Sequence, residues 1–398
     1  WDNLPTIKMN LSDGLLKALS TKPKIEQKVE TTNTEAYEYY LRAKQKYDKR
    51  ENADDTEIAR GLLNKALQLD DNLILAHTKL GRTYLEVDKS DKAMEIFTHA
   101  LQKAQEIEDK LGISENLRQL GNYYQTILQF DKSIDYYNRS FKLAEEIDER
   151  KGLWGNLYNI GRSYMLKGDY DKSIQYLTRS LIICKDLNDK FAMNWPIYGL
   201  GEVHFKKIEY DKAIEYLTRS HELSKEFELW SHLRFTYSIL ARIYLQQGQY
   251  EIALVNYMST LNIYENLGIK NQVGFHMQGI GVVHYNRGEY NRAVEHLEKS
   301  LNIQKEIGLK ELETTTYLYL SYKHLDKDYD KQHLHSLIKD AENIEYELNF
   351  RLYQLLDDTS YLETAYNQVQ EKTSAMEEET GKTFLGYPLP KAIVEEWE

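Results

Sequence analysis

This chain repeats itself every forty residues, and that constrains its fold more than any other feature. The segment GRSYMLKGDYDKSIQYLTRSL begins at Gly161; GNYYQTILQFDKSIDYYNRSF begins at Gly121 and GEVHFKKIEYDKAIEYLTRSH at Gly201. Gly81, Gly121, Gly161, Gly201, Ala241, Gly281 and Ser321 form one column at this interval, and all are small. Three positions later stand Tyr84, Tyr124, Tyr164, His204, Tyr244, His284 and His324. Two further small columns follow, Ala93 to Ala293 and Ala100 to Ser300. A fixed period of this length signifies one supersecondary unit stacked many times.

Each unit reads as two helices joined by a turn. In the unit around Gly161, Leu153, Leu157, Ile160 and Tyr164 share one helical face. Gly168 stops that helix and Asp169 caps the next. Ile174, Leu177, Leu181 and Cys184 line the second helix. Small residues let the two helices approach closely while Tyr or His fills the space beside them. Gly248 and Gly288 repeat the stop, whereas Leu128 and Ile208 replace it, so those two turns are less well specified. Pro196 stands near the start of a first helix, which predicts a helix beginning near Met193 or kinked there.

The Leu-Gly-x-x-Tyr pattern, with a small residue twelve positions on and another seven after that, resembles the tetratricopeptide repeat (TPR) family in its long-repeat form. The resemblance implies an all-α, right-handed superhelical solenoid of antiparallel helix pairs with C-terminal capping helices. The divisions it suggests are an N-terminal helix and linker over 1–32, an array over 33–347, and capping helices and a tail over 348–398. The array holds about eight repeats. Six are clear; an irregular one precedes them and a degenerate one follows near 311–347. Residues 349 to about 372 read as one long amphipathic helix. PLPKAIVEEWE reads as a turn and a short helix anchored by Ile393, Val394 and Trp397. This tail is either a docked cap or a detachable segment that covers a binding surface. The first residues, with EAYEYYLRAK, resemble the junction at which TPR tails follow class III nucleotide cyclase or TolB-like domains in bacterial signalling proteins. The chain begins at Trp1, as expected of a processed product or a piece of something longer.

Composition removes several function classes. A formal net charge of -12 argues against general nucleic-acid binding, which needs a basic surface. No apolar run approaches the ~18 residues of a membrane span, and no signal peptide is visible, so a cytoplasmic protein is expected. The lone cysteine, Cys184, lies in an apolar helical stretch and reads as a buried small hydrophobe. His204, His284 and His324 occupy the Tyr column and read as packing residues. His333 and His335 fall on different helix faces, and no metal-ligand spacing is present. Gly381-Lys382-Thr383 lacks the upstream glycine of a phosphate loop, since Met376 stands there. No nucleophile, base and orienting group converge, so neither catalytic residues nor a cofactor are expected.

What remains is a groove lined by first helices. In the Gly161 unit, the side opposite Leu157 and Ile160 carries Gly155, Tyr158, Asn159, Arg162 and Met165. Reading these columns along the chain nominates Arg82, Arg118, Asn122, Tyr158, Asn159, Arg162, Trp195, Tyr198, Phe235, Arg242 and Phe275 as partner-binding residues. Arginine pairs bidentately with carboxylates, asparagine bonds peptide backbone, and aromatics give rigid anchors. The expected occupant is a protein or peptide, an extended, acidic or carboxylate-bearing segment. The alternative role is a regulatory or oligomerising tail of a larger signalling enzyme. At the C-terminal end of the groove, Val282, Tyr285, Leu318, Tyr319 and Tyr322 make an apolar surface that needs an occupant: the chain's own tail, a partner helix or a second copy.

Overall fold

A computed structural model describes residues 33–48, 53–85, 90–227, 229–266 and 268–398. The helix and linker expected over 1–32 lie outside the described residues. Twenty helices and no strand are present among the described residues: an all-α repeat solenoid. The forty-residue period of the sequence is a twenty-residue period of the backbone. Helices start at Lys110, Phe130, Arg150, Tyr170, Lys190, Tyr210, Trp230, Tyr250, Lys270 and Tyr290. Between them the chain enters the left-handed region at Glu108, Leu128, Asp148, Gly168, Asn188, Ile208, Gly248, Gly268, Gly288 and Gly308.

Those turns share one bond, from the residue after the left-handed one back to a carbonyl five positions earlier. Gln129 N donates to Tyr124 O at 2.8 Å, Asp169 N to Tyr164 O at 2.9 Å and Glu209 N to His204 O at 3.0 Å. This closure terminates a helix regardless of the side chain. Leu128 (φ 60°) and Ile208 (φ 64°) therefore make the same turn as Gly168, against their steric preference. The turn is imposed by packing, which explains why glycine is optional there.

The chain divides into two compact units, residues 1–183 and 184–398. In the first, α1 (Thr34–Asp48), α2 (Ala53–Leu69), α3 (Ile74–Leu85), α4 (Ser90–Glu106), α5 (Lys110–Thr126), α6 (Phe130–Glu146) and α7 (Arg150–Lys167) stack as hairpins. The unit boundary falls within α8 (Tyr170–Asp186). The small column is needed sterically. A Cβ on Gly121 would lie 2.5 Å from the Tyr137 ring, and one on Gly161 2.8 Å from Leu177. The third small column, Ala100 to Ser300, is mostly polar. Ser140 Oγ donates to the Ser114 carbonyl at 2.7 Å and accepts from Asn156 Nδ2 at 2.9 Å. In two hairpins the Tyr column stacks on its partner helix, Tyr124 on Tyr136 and Tyr164 on Tyr176.

The second unit continues with α9 (Lys190–Lys206), α10 (Tyr210–Glu226), α11 (Trp230–Gln246), α12 (Tyr250–Asn266), α13 (Lys270–Asn286), α14 (Tyr290–Ile307), α15 (Leu312–His324) and α16 (Lys331–Lys339). Pro196 sits inside α9, which starts at Lys190 rather than near Met193. Asp189 caps that start, accepting from Ala192 N at 2.9 Å. The histidines expected to pack do so. His204 stacks on Tyr216, His324 on Tyr290, and His284 bonds Glu289 at 2.7 Å.

The tail departs from the expected single helix. It forms α17 (Tyr346–Leu356) and α18 (Thr359–Ser374), then α19 (Glu378–Leu385) and α20 (Pro388–Trp397). Asp357 turns left-handed at φ 58° and Asp358 caps α18, accepting from Ser360 N at 3.0 Å. Two adjacent aspartates suited to a stop and a cap therefore outweigh the continuous amphipathic pattern.

Candidate ligand-binding chamber

The apolar end of the groove is filled by the chain's own tail. Val282, Tyr285, Leu318 and Tyr319 are buried in one cluster with Leu352 and Leu355 of α17, and Tyr322 packs against it. Arg351 fastens this helix. It is 9% exposed, donates to Asn286 Oδ1 at 2.8 Å, and lies over the rings of Tyr285 and Tyr317 at 5.2 and 5.5 Å.

Past α17 the chain turns back across the groove. Ile393 and Phe384 bury against Tyr346, Phe350, Leu362 and Val369. Trp397 stacks on Tyr366 at 5.3 Å, and Tyr353 Oη donates to Glu396 Oε1 at 2.7 Å. The start of α20 reaches the opposite lip. Tyr387 stacks on Tyr210 at 5.1 Å between ring centroids. Pro388 lies so close to Gly248 that a Cβ there would be 2.8 Å from its Cγ. Gln246 Nε2 donates to Glu347 Oε1 at 2.6 Å, completing the closure.

The space between groove and tail, partly open to solvent, is about 990 Å³. One wall is α9, α11, α13 and α15; the other is α17 and α20. Phe275, Tyr257 and Tyr317 give it aromatic surface, and Arg242, Glu313 and Glu347 give it charge. The Arg242 guanidinium rests on the Phe205 ring at 4.9 Å. No described residue hydrogen-bonds or ion-pairs with it, and it is open to the chamber. Glu313 also faces the chamber's interior. Its side chain is solvent-accessible from the chamber, but the protein crowded around it and then the nearby Glu347 carboxylate raise its pKa above the ordinary value, with Gln278 and Arg242 pulling the other way.

The nominated groove residues fall into three groups. Arg242 and Phe275 line the chamber. Trp195, Tyr198 and Phe235 gather around His232, at 4.1 Å from Trp195 and 6.5 Å from Tyr198, with Phe235 still 41% exposed. Burial, with the Arg234 charge adding to it, takes the His232 pKa down to about 4, so this imidazole is neutral at neutral pH and the nearby positive charge is Arg234, over the Phe235 ring at 4.7 Å.

The remaining six lie in the first unit, where several are already engaged. Arg118 forms a bidentate pair with Glu115, one turn away, at 2.5 and 3.1 Å. Asn122 accepts from Tyr137 Oη at 2.6 Å and donates to Gln119 at 2.9 Å. Tyr158 is 7% exposed with Arg162 over its ring at 5.9 Å, Asn159 is half-buried and Arg82 is exposed. Met165, expected on the open side, is buried.

A family model described as tetratricopeptide repeat matches residues 71–146, 155–226, 192–266 and 232–306, more than half of the chain. The chain belongs to the tetratricopeptide repeat family. No curated protein matches it in sequence. Solved structures share the TPR fold at low identity. One is a signal-transduction ATPase with numerous domains from Pyrococcus horikoshii that carries a TPR sensor (14% identity, TM-score 0.59). The match covers 83% of this chain and 55% of that one. A Rap protein complexed with Competence and Sporulation Factor matches over 90% of this chain and 99% of its own (15%, TM-score 0.52). The apo quorum sensor NprR from B. thuringiensis matches over 92% and 98% (15%, TM-score 0.52). Gly201, Gly279 and Gly281 are helical close-packing residues of this TPR array. A Cβ on Gly281 would lie 2.6 Å from Leu297.

Sequence reasoning missed the chamber's acid, although the repeat held a signal for it. Glu313 occupies a column that elsewhere reads Ile113, Leu153, Met193, Leu233 and Val273. Arg351, Glu347 and Tyr387 lie beyond the periodic region, where no column exists to compare.

Proposed function

We propose that this TPR protein is a non-catalytic binding protein that holds a short peptide, or the end of one, in the chamber of its second unit. The observation that carries the reading is Arg242. An arginine that rests on an aromatic ring, with no hydrogen bond or ion pair from a described residue, and is exposed to a partly open chamber is suited to a carboxylate it can grip bidentately. Phe275, 41% exposed, offers ring surface for an apolar side chain. The volume is at the upper end of the roughly 300–1,000 Å³ usual for ligand pockets, which suits a few residues and excludes a folded partner. The site therefore moves from the central groove, where Arg118 and Asn122 are satisfied internally, to its C-terminal part. The likenesses to a Rap protein bound to a factor and to a quorum sensor support a ligand-receiving role. Among the described residues no helix is long and apolar enough to cross a membrane.

A second reading, a regulatory module of a larger signalling protein, draws on the ATPase with a TPR sensor, only 55% of which this chain spans. It is compatible with the first, since a sensor also needs a ligand. The test is affinity selection of a random hexapeptide pool by the purified chain, read by mass spectrometry, beside Arg242→Gln. Enrichment of carboxylate-bearing peptides that the variant loses supports the reading. Failure to enrich any peptide overturns it.

A further inference from the structure

The same forty-residue columns that build the array are broken together at one other place, in the first regular repeat. The position held by Leu117, Leu157 and Ile197 in the next three units is His77 here. The position held by Leu143, Ile183, Leu223, Ile263 and Ile303 is Lys103. Where Arg139, Arg179 and Arg219 stand later, His99 stands first. These three departures lie in α3 and α4, and they converge on Asp71 in the turn before α3. Packing alone gives no reason to exchange two aliphatic positions for an imidazole and an ammonium beside a second imidazole and a carboxylate.

We infer that Asp71, His77 and His99 form a binding site for a borderline divalent transition metal of the zinc type. One ligand atom from each residue lies within 4.8 Å of the other two. His77 Nε2 is 3.3 Å from Asp71 Oδ1. Two ligands about 2.05 Å from a tetrahedral zinc lie roughly 3.3 Å apart, so this pair already has the edge length of a zinc site. His77 is buried; in the metal-free protein its Nε2–H donates to the Asp71 carbonyl at 3.0 Å, and a metal would take the place of that proton, leaving the ring protonated at Nδ1. His99 stands edge-on to it, with ring centroids 5.0 Å apart. Both His99 and Asp71 are exposed, so a side-chain rotation brings the third ligand in without moving a helix. Two imidazoles and one carboxylate suit zinc or cobalt rather than magnesium or calcium, which prefer all-oxygen shells.

Lys103 sets the strength of the site. Its ammonium sits 2.6 Å from Asp71 Oδ2, the carboxylate oxygen turned away from His77. It supplies a positive charge in the metal-free protein and repels an arriving cation, so binding is reversible and Lys103 weakens it.

The test is titration of the full chain with cobalt(II), followed by its visible absorption, and with zinc chloride by calorimetry. The expected result is one equivalent bound, with affinity falling at least roughly tenfold in Asp71→Asn and in His99→Ala, both exposed substitutions compatible with folding. Lys103→Gln is expected to tighten binding. The absence of saturable one-to-one binding overturns the inference. So does binding that survives both ligand substitutions, which places the metal elsewhere, or a Lys103→Gln variant that binds no tighter.

Discussion

Arg351→Ala removes the side chain that fastens α17 to the groove. Two contributions can be read from its contacts. The hydrogen bond to Asn286 Oδ1 at 2.8 Å joins a charged donor to a neutral acceptor across two helices, and such bonds contribute about 1.5–3 kcal/mol. The stacking over Tyr285 and Tyr317, in a site where the guanidinium is largely desolvated, adds about 1–2 kcal/mol. The bond to Gln354 lies within the same helix and survives undocking, so it does not count. Recovered hydration of the arginine offsets part of the sum, leaving a loss of about 2–4 kcal/mol in docking. Read by hydrogen exchange, opening of α17 to α20 should speed by roughly 30- to 1,000-fold while α9 to α14 keep their protection. Unchanged exchange in α17 would refute the assignment of Arg351 as the fastener. Equal acceleration throughout the second unit would refute the idea that the tail opens as a separate piece.

Other consequences follow from the same contacts. Gly121→Ala drives a Cβ into the Tyr137 ring and should cost about 1–3 kcal/mol in urea unfolding. Gly155→Ala meets nothing within 4 Å and should be neutral or stabilising by up to ~1 kcal/mol. The Cys184 thiol, pushed up to about 12 by burial and then by Asp189, should resist a thiol reagent at pH 8 until the protein unfolds. Glu313 titrates above its unfolded value, so its ionisation opposes folding. The penalty is absent below the unfolded pKa, builds as pH rises toward the folded one and is complete above it. Glu313→Gln should therefore raise Tm at pH 8 and do so less at pH 5.

The array was readable because each column is sampled six or seven times. The small residues of the Gly161 column identify a close helix approach, and those of the Tyr164 column the side chains that fill the space beside it, by recurrence alone. Recurrence also misled. It marked Arg162 as equivalent to Arg242 and nominated Arg118 from a neighbouring column, yet whether an arginine is available depends on what stands nearby. Arg118 has Glu115 one turn away, while the corresponding neighbour of Arg242 is Ile239. The turns at Leu128 and Ile208 were judged weak because the steric rule for φ favours glycine. The stacked helices impose the turn instead. The tail could not be read by recurrence at all. That Pro388 meets Gly248 is a contact between segments 140 residues apart, with no pattern in either to announce it.

The account stands on Arg242 being available and Arg118 being committed to Glu115. The decisive measurement is the fluorescence anisotropy of one labelled, selected peptide titrated with the wild-type chain, Arg242→Gln and Arg118→Gln. A charge-assisted bond contributes about 1.5–3 kcal/mol, so Arg242→Gln should weaken binding roughly tenfold or more and Arg118→Gln should leave it unchanged. Equal affinity in all three, or a loss confined to Arg118→Gln, would contradict the chamber as the binding site.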